Sequence, residues 1–304
     1  MEVASDILSR TIALLSTRTE AEKEALPDGG SQLPSTDDIR EIMRCVKLIV
    51  FPDFFARKRD DDSLRSYHIG VMMDRLYSLL SRQVCLGLLF SGGDDDETGT
   101  EKAREQASDI TLRFLERMPE IKRLLYTDVK AMYQNDPAAE NSGEIIFCYP
   151  MMEAMVCHRV AHELFKMKVP VIPRIIAEMA HAASGIDIHP GAEIGEYFCI
   201  DHGTGVVIGE TCIIGSHVML YQGVTLGAKS FHADESGKLI NEPRHPIIED
   251  YVTVYSNSSI LGRITVGHHS VIGGNVWLTH GVEPYSQILQ TRAQKMSFDG
   301  GLGI

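Results

Sequence analysis

The chain has 304 residues, enough for one large domain or two ordinary ones, and its 44% hydrophobic and 23% charged residues exclude wholesale disorder. Its 42 acidic against 29 basic side chains leave a net charge of −13, a field that repels a polyanion, so no nucleic-acid partner is expected. No apolar run reaches the roughly 18 residues that span a bilayer, and Met1-Glu2-Val3-Ala4-Ser5-Asp6 puts no positive charge ahead of its apolar stretch, so the expected location is cytoplasmic, away from membranes.

Up to about residue 184 the apolar spacing is helical. Ile7, Leu8, Ile12 and Leu15 recur at helical intervals, as do Ile39, Ile42, Met43, Val46 and Ile49 behind the cap-like Ser35-Thr36-Asp37-Asp38. The same pattern predicts helices over roughly 67–90, 101–117, 119–134, 151–168 and 171–183. Ala25-Leu26-Pro27-Asp28-Gly29-Gly30 reads as a linker and Ser91-Gly92-Gly93-Asp94-Asp95-Asp96 as an acidic loop. An all-α domain over 1–184 follows. Inside it His158 and His162 stand four apart, a spacing zinc ligands use. No His-Glu-x-x-His accompanies them, and two histidines on one helix face more often pack or solvate, so no metal is expected. The six cysteines (Cys45, Cys85, Cys148, Cys157, Cys199 and Cys212) are irregularly spaced without a Cys-x-x-Cys, and free, mostly buried thiols in a reducing compartment are expected.

From Ile186 the period changes to six. Ile188, Ile194, Ile200, Val206, Cys212, Val218 and Val224 are each six residues apart, and Ile248, Val254, Ile260, Val266, Ile272 and Leu278 resume the rhythm. Gly191, Gly203, Gly209, Gly215 and Gly227 punctuate the first run. A six-residue repeat with an aliphatic anchor is the signature of a parallel β-helix, one short strand and one turn per hexad, over 185–283. One inward side chain per hexad is expected in so narrow an interior. Between the two runs, a continued coil would turn Ser230, Ser236 and Glu242 inward, and burying those groups without partners is costly. Residues 228–245 are therefore expected to project as a loop, of the kind that often carries function. The remainder, 284–304, reads as a tail.

The rigid coil supplies the candidates for chemistry. Asp201 and His202 end the third hexad and are expected to face outward. Asp187 precedes His202 by nearly one turn of three hexads, where a carboxylate can hold one imidazole nitrogen and leave the other as a base. The plainer alternative makes His202 a solvated corner and Asp187 a turn former. Arg244, followed by His245 and Pro246, closes the loop, and a guanidinium there suits either capture of a carboxylate or a surface ion pair. Asp136-Pro137-Ala138 follows a helical segment.

Together these residues resemble the serine O-acetyltransferases, hexapeptide-repeat enzymes that open cysteine biosynthesis. The matching stretches are Asp136-Pro137-Ala138, Gly185-Ile186-Asp187-Ile188-His189-Pro190, Asp201-His202-Gly203-Thr204-Gly205, Ile208-Gly209-Glu210-Thr211, Gln222-Gly223-Val224-Thr225-Leu226-Gly227 and Arg244-His245-Pro246. They cover about 125–280, with weaker likeness around Ile49-Val50-Phe51-Pro52. The resemblance implies a left-handed β-helix, acetyl-CoA and L-serine as substrates, and no metal. It implies His202 as general base with Asp187 orienting it, Asp136 and Asp201 on the serine amino group, and Arg244 and His245 on its carboxylate. Acetyl-CoA contacts are implied at Gly227, Ala228, Ser256 and Gly274, in a crevice between neighbouring coils of a homotrimer or a dimer of trimers.

Two features depart from the shorter family members: a longer projecting loop, and a last coil, Glu283-Pro284-Tyr285-Ser286-Gln287-Ile288-Leu289, without a Gly-x-Pro-Ala ending. The terminal Gly301-Leu302-Gly303-Ile304 matches the family habit of ending in Ile, which implies O-acetylserine sulfhydrylase as a partner. Cysteine, one atom away from serine, is implied as a feedback inhibitor. A zinc hydratase, drawing on His217, His268, His269 and His280, and a non-catalytic scaffold are the alternative readings of the same coil.

Overall fold

The computed structural model describes residues 2–25, 33–55, 62–92, 97–234 and 236–290. Among these, the first part is helical: α1 (Glu2–Ser16), α2 (Glu20–Ala25), α3 (Thr36–Val50), α4 (Pro52–Phe55), α5 (Asp62–Phe90), α6 (Glu97–Asn135), α7 (Ser142–Cys148), α8 (Pro150–Lys166) and α9 (Ile172–Ser184). Ser35 caps α3 by accepting from the Asp38 N–H, and Asp37 and Asp38 lie at the positive end of the helix dipole. The two helices expected over 101–117 and 119–134 are one. Pro119 sits inside α6, and the buried stripe Ile110, Phe114, Met118, Ile121 and Leu125 crosses it at helical spacing. That continuous apolar seam outweighs the hydrogen bond the proline removes. Gly185 ends α9 in the left-handed region at φ 71°, donating to His181 O.

The chain then coils through three parallel sheets. The first turn is β1 (Asp187–Ile188), β2 (Glu193–Ile194) and β3 (Cys199–Asp201); the second is β4 (Val207–Ile208), β5 (Ile213–Ile214) and β6 (Met219–Tyr221). The third and fourth are β7 (Thr225–Gly227), β8 (Ile247–Ile248), β9 (Thr253–Val254), β10 (Ser259–Leu261), β11 (Thr265–Val266) and β12 (Val271–Ile272), followed by β13 (Trp277–Leu278) and β14 (Gln287–Ile288). Sheet A stacks β1-β4-β7-β10-β13, sheet B β2-β5-β8-β11, and sheet C β3-β6-β9-β12-β14.

Two details of the sixfold frame differ from expectation. Ile188 pairs with Ile208, Ile194 with Ile214 and Ile200 with Leu220, so the first turn is two residues longer than three hexads. The extra residues lie in Asp201-His202-Gly203-Thr204-Gly205. The strand anchors after it are Ile208, Ile214, Leu220 and Leu226, while Val206, Cys212, Val218 and Val224 are buried at the preceding corners. Each hexad there buries two side chains rather than one. In this register a continued coil would turn His232, Lys238 and Arg244 inward, no easier to bury, and 228–245 does project. Beyond Leu278 the next anchor is Val282, which bridges Val266 after four residues instead of six. That shortening carries the coil past 283 to β14, so the tail begins later than expected.

At the corner between sheets B and C, Tyr197, His217, Tyr251, His269 and Tyr285 all adopt φ near 58°. Their rings stack at centroid spacings of 4.4, 4.6, 4.7 and 4.9 Å, matching the rise between strands. Five of the six cysteines are buried and all are free.

The helices and the coil share one apolar core, and a buried ion pair joins them. Asp128 of α6, fully buried, accepts two-pronged hydrogen bonds from Arg159 of α8 at 3.0–3.3 Å and one from the Phe198 N–H at 3.1 Å. Arg159 also donates through Nη1 to Ile194 O and through Nη2 to Gly195 O. Burial pushes the Asp128 carboxyl up, to about 6, against the pull of Arg159 and the Phe198 N–H. Asp128→Ala would strand the guanidinium and is expected to lower unfolding free energy by about 3–5 kcal/mol, read as a lower urea midpoint; an unchanged midpoint would contradict this.

Candidate active site

The lengthened corner between sheets C and A carries His202. Its backbone is left-handed at φ 58°, followed by Gly203 at 84° and Gly205 at 78°. At φ 84° Gly203 holds a backbone conformation in which a side chain would be strained, and a Cβ there would also press on Ile186. The imidazole is exposed, 73%, with Nε2 3.9 Å from Asp201 Oδ1. The helical half delivers a second carboxylate at the end of α6. Asp136 Oδ1 accepts the Ala138 N–H at 2.8 Å, an Asx-type turn, and Oδ2 accepts the Tyr149 hydroxyl at 2.5 Å. The phenol, the Ala138 N–H and the nearby charge of His202 hold Asp136 below the usual carboxylate range.

A second group forms at the corner between sheets A and B, where β4 turns into β5 and the loop returns to β8. Thr211 Oγ1 accepts the backbone N–H groups of Arg244 and His245 at 2.9 and 3.1 Å. The Thr211 N–H donates to His245 Nδ1 at 3.1 Å, so Nδ1 carries the lone pair and the ring proton resides on Nε2. Burial, with Arg244 alongside, holds His245 down at about 4 and keeps it neutral. Arg244 donates to Glu210 at 2.7 Å and Asn241 at 3.0 Å, and its Nε is buried without a partner. Burial pushes Glu210 up, but the Arg244 hydrogen bond with the charges of His189 and Arg244 outweighs it and leaves Glu210 below its ordinary range. The Asp187 N–H on β1 donates to Val206 O at 2.9 Å, while its carboxylate makes no hydrogen bond among the described residues; its charge is felt by His189.

The expected site residues thus fall into two groups on opposite edges of sheet A. Asp136, Asp201 and His202 share one edge; Arg244 and His245 share the other. Within one chain Asp187 neither hydrogen-bonds nor ion-pairs with His202, unlike the geometry that a first turn of three hexads predicts. The implied acetyl-CoA positions divide the same way. Ser256 and Gly274 continue the column above His202 and Gln222, linked by Asn257 N–H to Gln222 O and Asn275 N–H to Ser256 O. Gly227 ends β7 and Ala228 follows it on the Arg244 edge. Gln222 Oε1 is buried without a partner in the His202 column.

Tyr149, Glu210 and Thr211 are contacts that sequence reasoning gave no role. Thr211 and Glu210 were visible only as part of a matched motif, and Tyr149 carried no signal at all. Among the described residues no three His, Cys, Asp or Glu side chains converge as a metal site requires, and no helix is long and apolar enough to cross a membrane.

No protein-family model matches the chain. A plasmid-encoded serine acetyltransferase of Synechococcus elongatus is 44% identical over 300 residues, 96% of this chain and 94% of that protein. This chain belongs to the serine acetyltransferases. The serine acetyltransferase of Bacillus subtilis is 42% identical over 55% of the chain and 73% of its own length. Entamoeba histolytica serine acetyltransferase 1 has a solved structure that superposes with a TM-score of 0.70 at 36% identity, covering 86% of this chain and 90% of that one. The same enzyme has been solved with L-cysteine, at 34% identity, a TM-score of 0.70 and coverage of 91% and 94%. The coil is the left-handed β-helix of this family, and the activity is acetyl transfer to serine in cysteine biosynthesis. The zinc-hydratase and scaffold readings are not favoured.

Two expectations follow from the site's packing. A Cβ at Gly209 would lie 2.0–2.2 Å from the His245 ring. Gly209→Ala should displace that ring, costing about 1–3 kcal/mol of stability, which a lower thermal midpoint would show. Burial also holds His158, His162 and His189 below the ordinary histidine range, as it does His245. The unfolded chain protonates these rings near pH ~6.5, whereas the folded chain resists. Stability is therefore expected to fall as the pH drops from about 6.5 toward 4. A urea midpoint equal at pH ~7.5 and ~5.5 would rule this out.

Proposed function

We propose that this serine acetyltransferase uses acetyl-CoA as acetyl donor at a site shared by two copies of the chain. The Asp136–Asp201–His202 edge of one protomer meets the Arg244–His245 edge of the next, with Asp187 on the face of sheet A that lines the seam. The observation that carries this reading is the separation of the two groups, each preorganised, on opposite edges of one sheet. A homotrimer of coils, alone or as a dimer of trimers, provides three such seams. The exposed apolar residues Ile7, Leu8, Ile12 and Leu15 of α1 are available for further assembly of the helical halves.

In that seam the two carboxylates of Asp136 and Asp201 face the serine ammonium. Arg244 and the Nε2–H of neutral His245 donate to the serine carboxylate. His202, oriented by the neighbour's Asp187, takes the hydroxyl proton as the serine oxygen attacks the thioester carbonyl. The C–O bond forms, the C–S bond breaks, and the proton passes to the departing CoA thiolate. A positioned base contributes roughly 10²–10⁴-fold, and holding both substrates together supplies much of the rest. The thioester is already activated, so the scheme needs neither a metal nor an acyl-enzyme. Gly227, Ala228, Ser256 and Gly274 line the acetyl-CoA path, their small side chains leaving backbone groups open.

L-Cysteine shares the amino and carboxylate groups recognised here and fits as a competing end-product inhibitor; relatives with cysteine bound support this. O-Acetylserine sulfhydrylase is the proposed partner of the C-terminal Ile304, which lies outside the described residues. Six free thiols suit a cytoplasmic enzyme.

Mixing inactive variants tests the shared site. His202→Ala and Arg244→Ala should each lose nearly all serine-dependent thioester cleavage. Co-expressed, they form hybrid assemblies in which some seams pair an intact His202 edge with an intact Arg244 edge, so activity should return to a substantial fraction of wild type. No recovery in verified hybrids would show that one chain supplies the whole site.

A further inference from the structure

Tyr149 is not among the residues assigned a role above, yet it makes the shortest side-chain contact to the proposed serine site. It stands at a rigid junction, closing α7 through its N–H to Ile145 O at 3.2 Å and opening α8 as N-cap with Pro150 next in line. Met152 N–H returns to Tyr149 O at 3.0 Å, so the backbone is held from both sides. The phenol reaches from this junction to Asp136 Oδ2 at 2.5 Å, while Oδ1 is occupied by the Ala138 N–H. The hydrogen bond to Asp136 pushes the phenol up to about 12, with burial and the charges of Asp136, Glu144 and Asp201 adding to it, so it remains a donor throughout the physiological range.

We propose that Tyr149 is a positioning residue for serine: its hydroxyl fixes the Asp136 carboxylate against rotation, with one donor on each oxygen, so that the remaining lone pairs face the ammonium beside Asp201 and His202. Asp136 is half-exposed and lies just past a helix end, where an unrestrained carboxylate rotates freely. Two donors from different directions remove that freedom before substrate arrives, and preorganisation of this kind strengthens binding by reducing the ordering left to do. The contact is local to the amino-group pocket, so its effect belongs to serine and not to acetyl-CoA. The inference rests on the assignment of Asp136 to the serine amino group.

The test is steady-state kinetics of the full-length enzyme with both substrates varied. Tyr149→Phe removes one oxygen and keeps the ring and both helix caps. It should raise the serine KM about fivefold to tenfold, as expected for a lost hydrogen bond to a charged group. The kcat and the KM for acetyl-CoA should stay within about twofold. A purely structural role would instead lower the thermal midpoint and shift all constants together, and that result overturns the proposal, as does an unchanged serine KM. Asp136→Asn is measured alongside. If Asp136→Asn raises the serine KM and Tyr149→Phe adds little in that background, the phenol acts through Asp136. Full multiplicative effects in the double variant would overturn that route. If Asp136→Asn raises the serine KM and Tyr149→Phe does not, only the Tyr149 inference fails. If Asp136→Asn itself leaves the serine KM unchanged, the assignment of Asp136 fails and takes this inference with it.

Discussion

The buried pair of Asp128 and Arg159 is the constraint on which the geometry of the active site depends. A guanidinium and a carboxylate removed from water are tolerable only when every donor and acceptor finds a partner. Here the partners come from three places: α6, α8 and the turn between β2 and β3. Asp136 lies two helical turns beyond Asp128, at the end of α6, and Tyr149 lies at the start of the helix that carries Arg159. Clamping these helices to the first coil therefore sets where one wall of the proposed serine pocket stands relative to His202. Misplacing either helix would move carboxylate and phenol together, away from the imidazole.

The two halves of the site are built on different physics. Around His202 an exposed ring stands beside two partly buried carboxylate groups, a setting suited to a small cation that arrives from solvent. Around Arg244 they are half-buried, and the protein fixes their charge states before any ligand enters. His245 is locked as a neutral donor by Thr211, and Glu210 neutralises part of the Arg244 charge that would otherwise be buried alone. The apolar coil beneath both corners keeps them rigid, since most of its interior positions are fully buried.

Much of this was legible in the sequence, and the failures have physical causes. The coil announced itself because hardly any other fold places aliphatic residues at so strict an interval. The slip of two residues at Asp201–Gly205 was hidden because Val206, Cys212, Val218 and Val224 are as apolar and as buried as the true strand anchors two residues later. Counting along one column could not detect a change to the other. The unity of α6 was missed because Pro119 is read as a break, whereas the packing seam on both sides decides. Asp187 and His202 looked like neighbours for the same reason that the slip was invisible. Tyr149 is one of 10 tyrosines and gains meaning only from the fold that brings it to Asp136.

The ring ladder between sheets B and C has a consequence of its own. Its last rung among the described residues, Tyr285, is 72% exposed, at the end of a stack whose spacing already equals one layer of strands. Lengthening by another eighteen-odd residues would find an aromatic template waiting to dictate pitch and angular phase. Growth at that end would leave the proposed amino-acid pocket, confined to the first three turns, undisturbed. The height of the scaffold beyond its last layer is thus separable from recognition of the amino acid in this architecture.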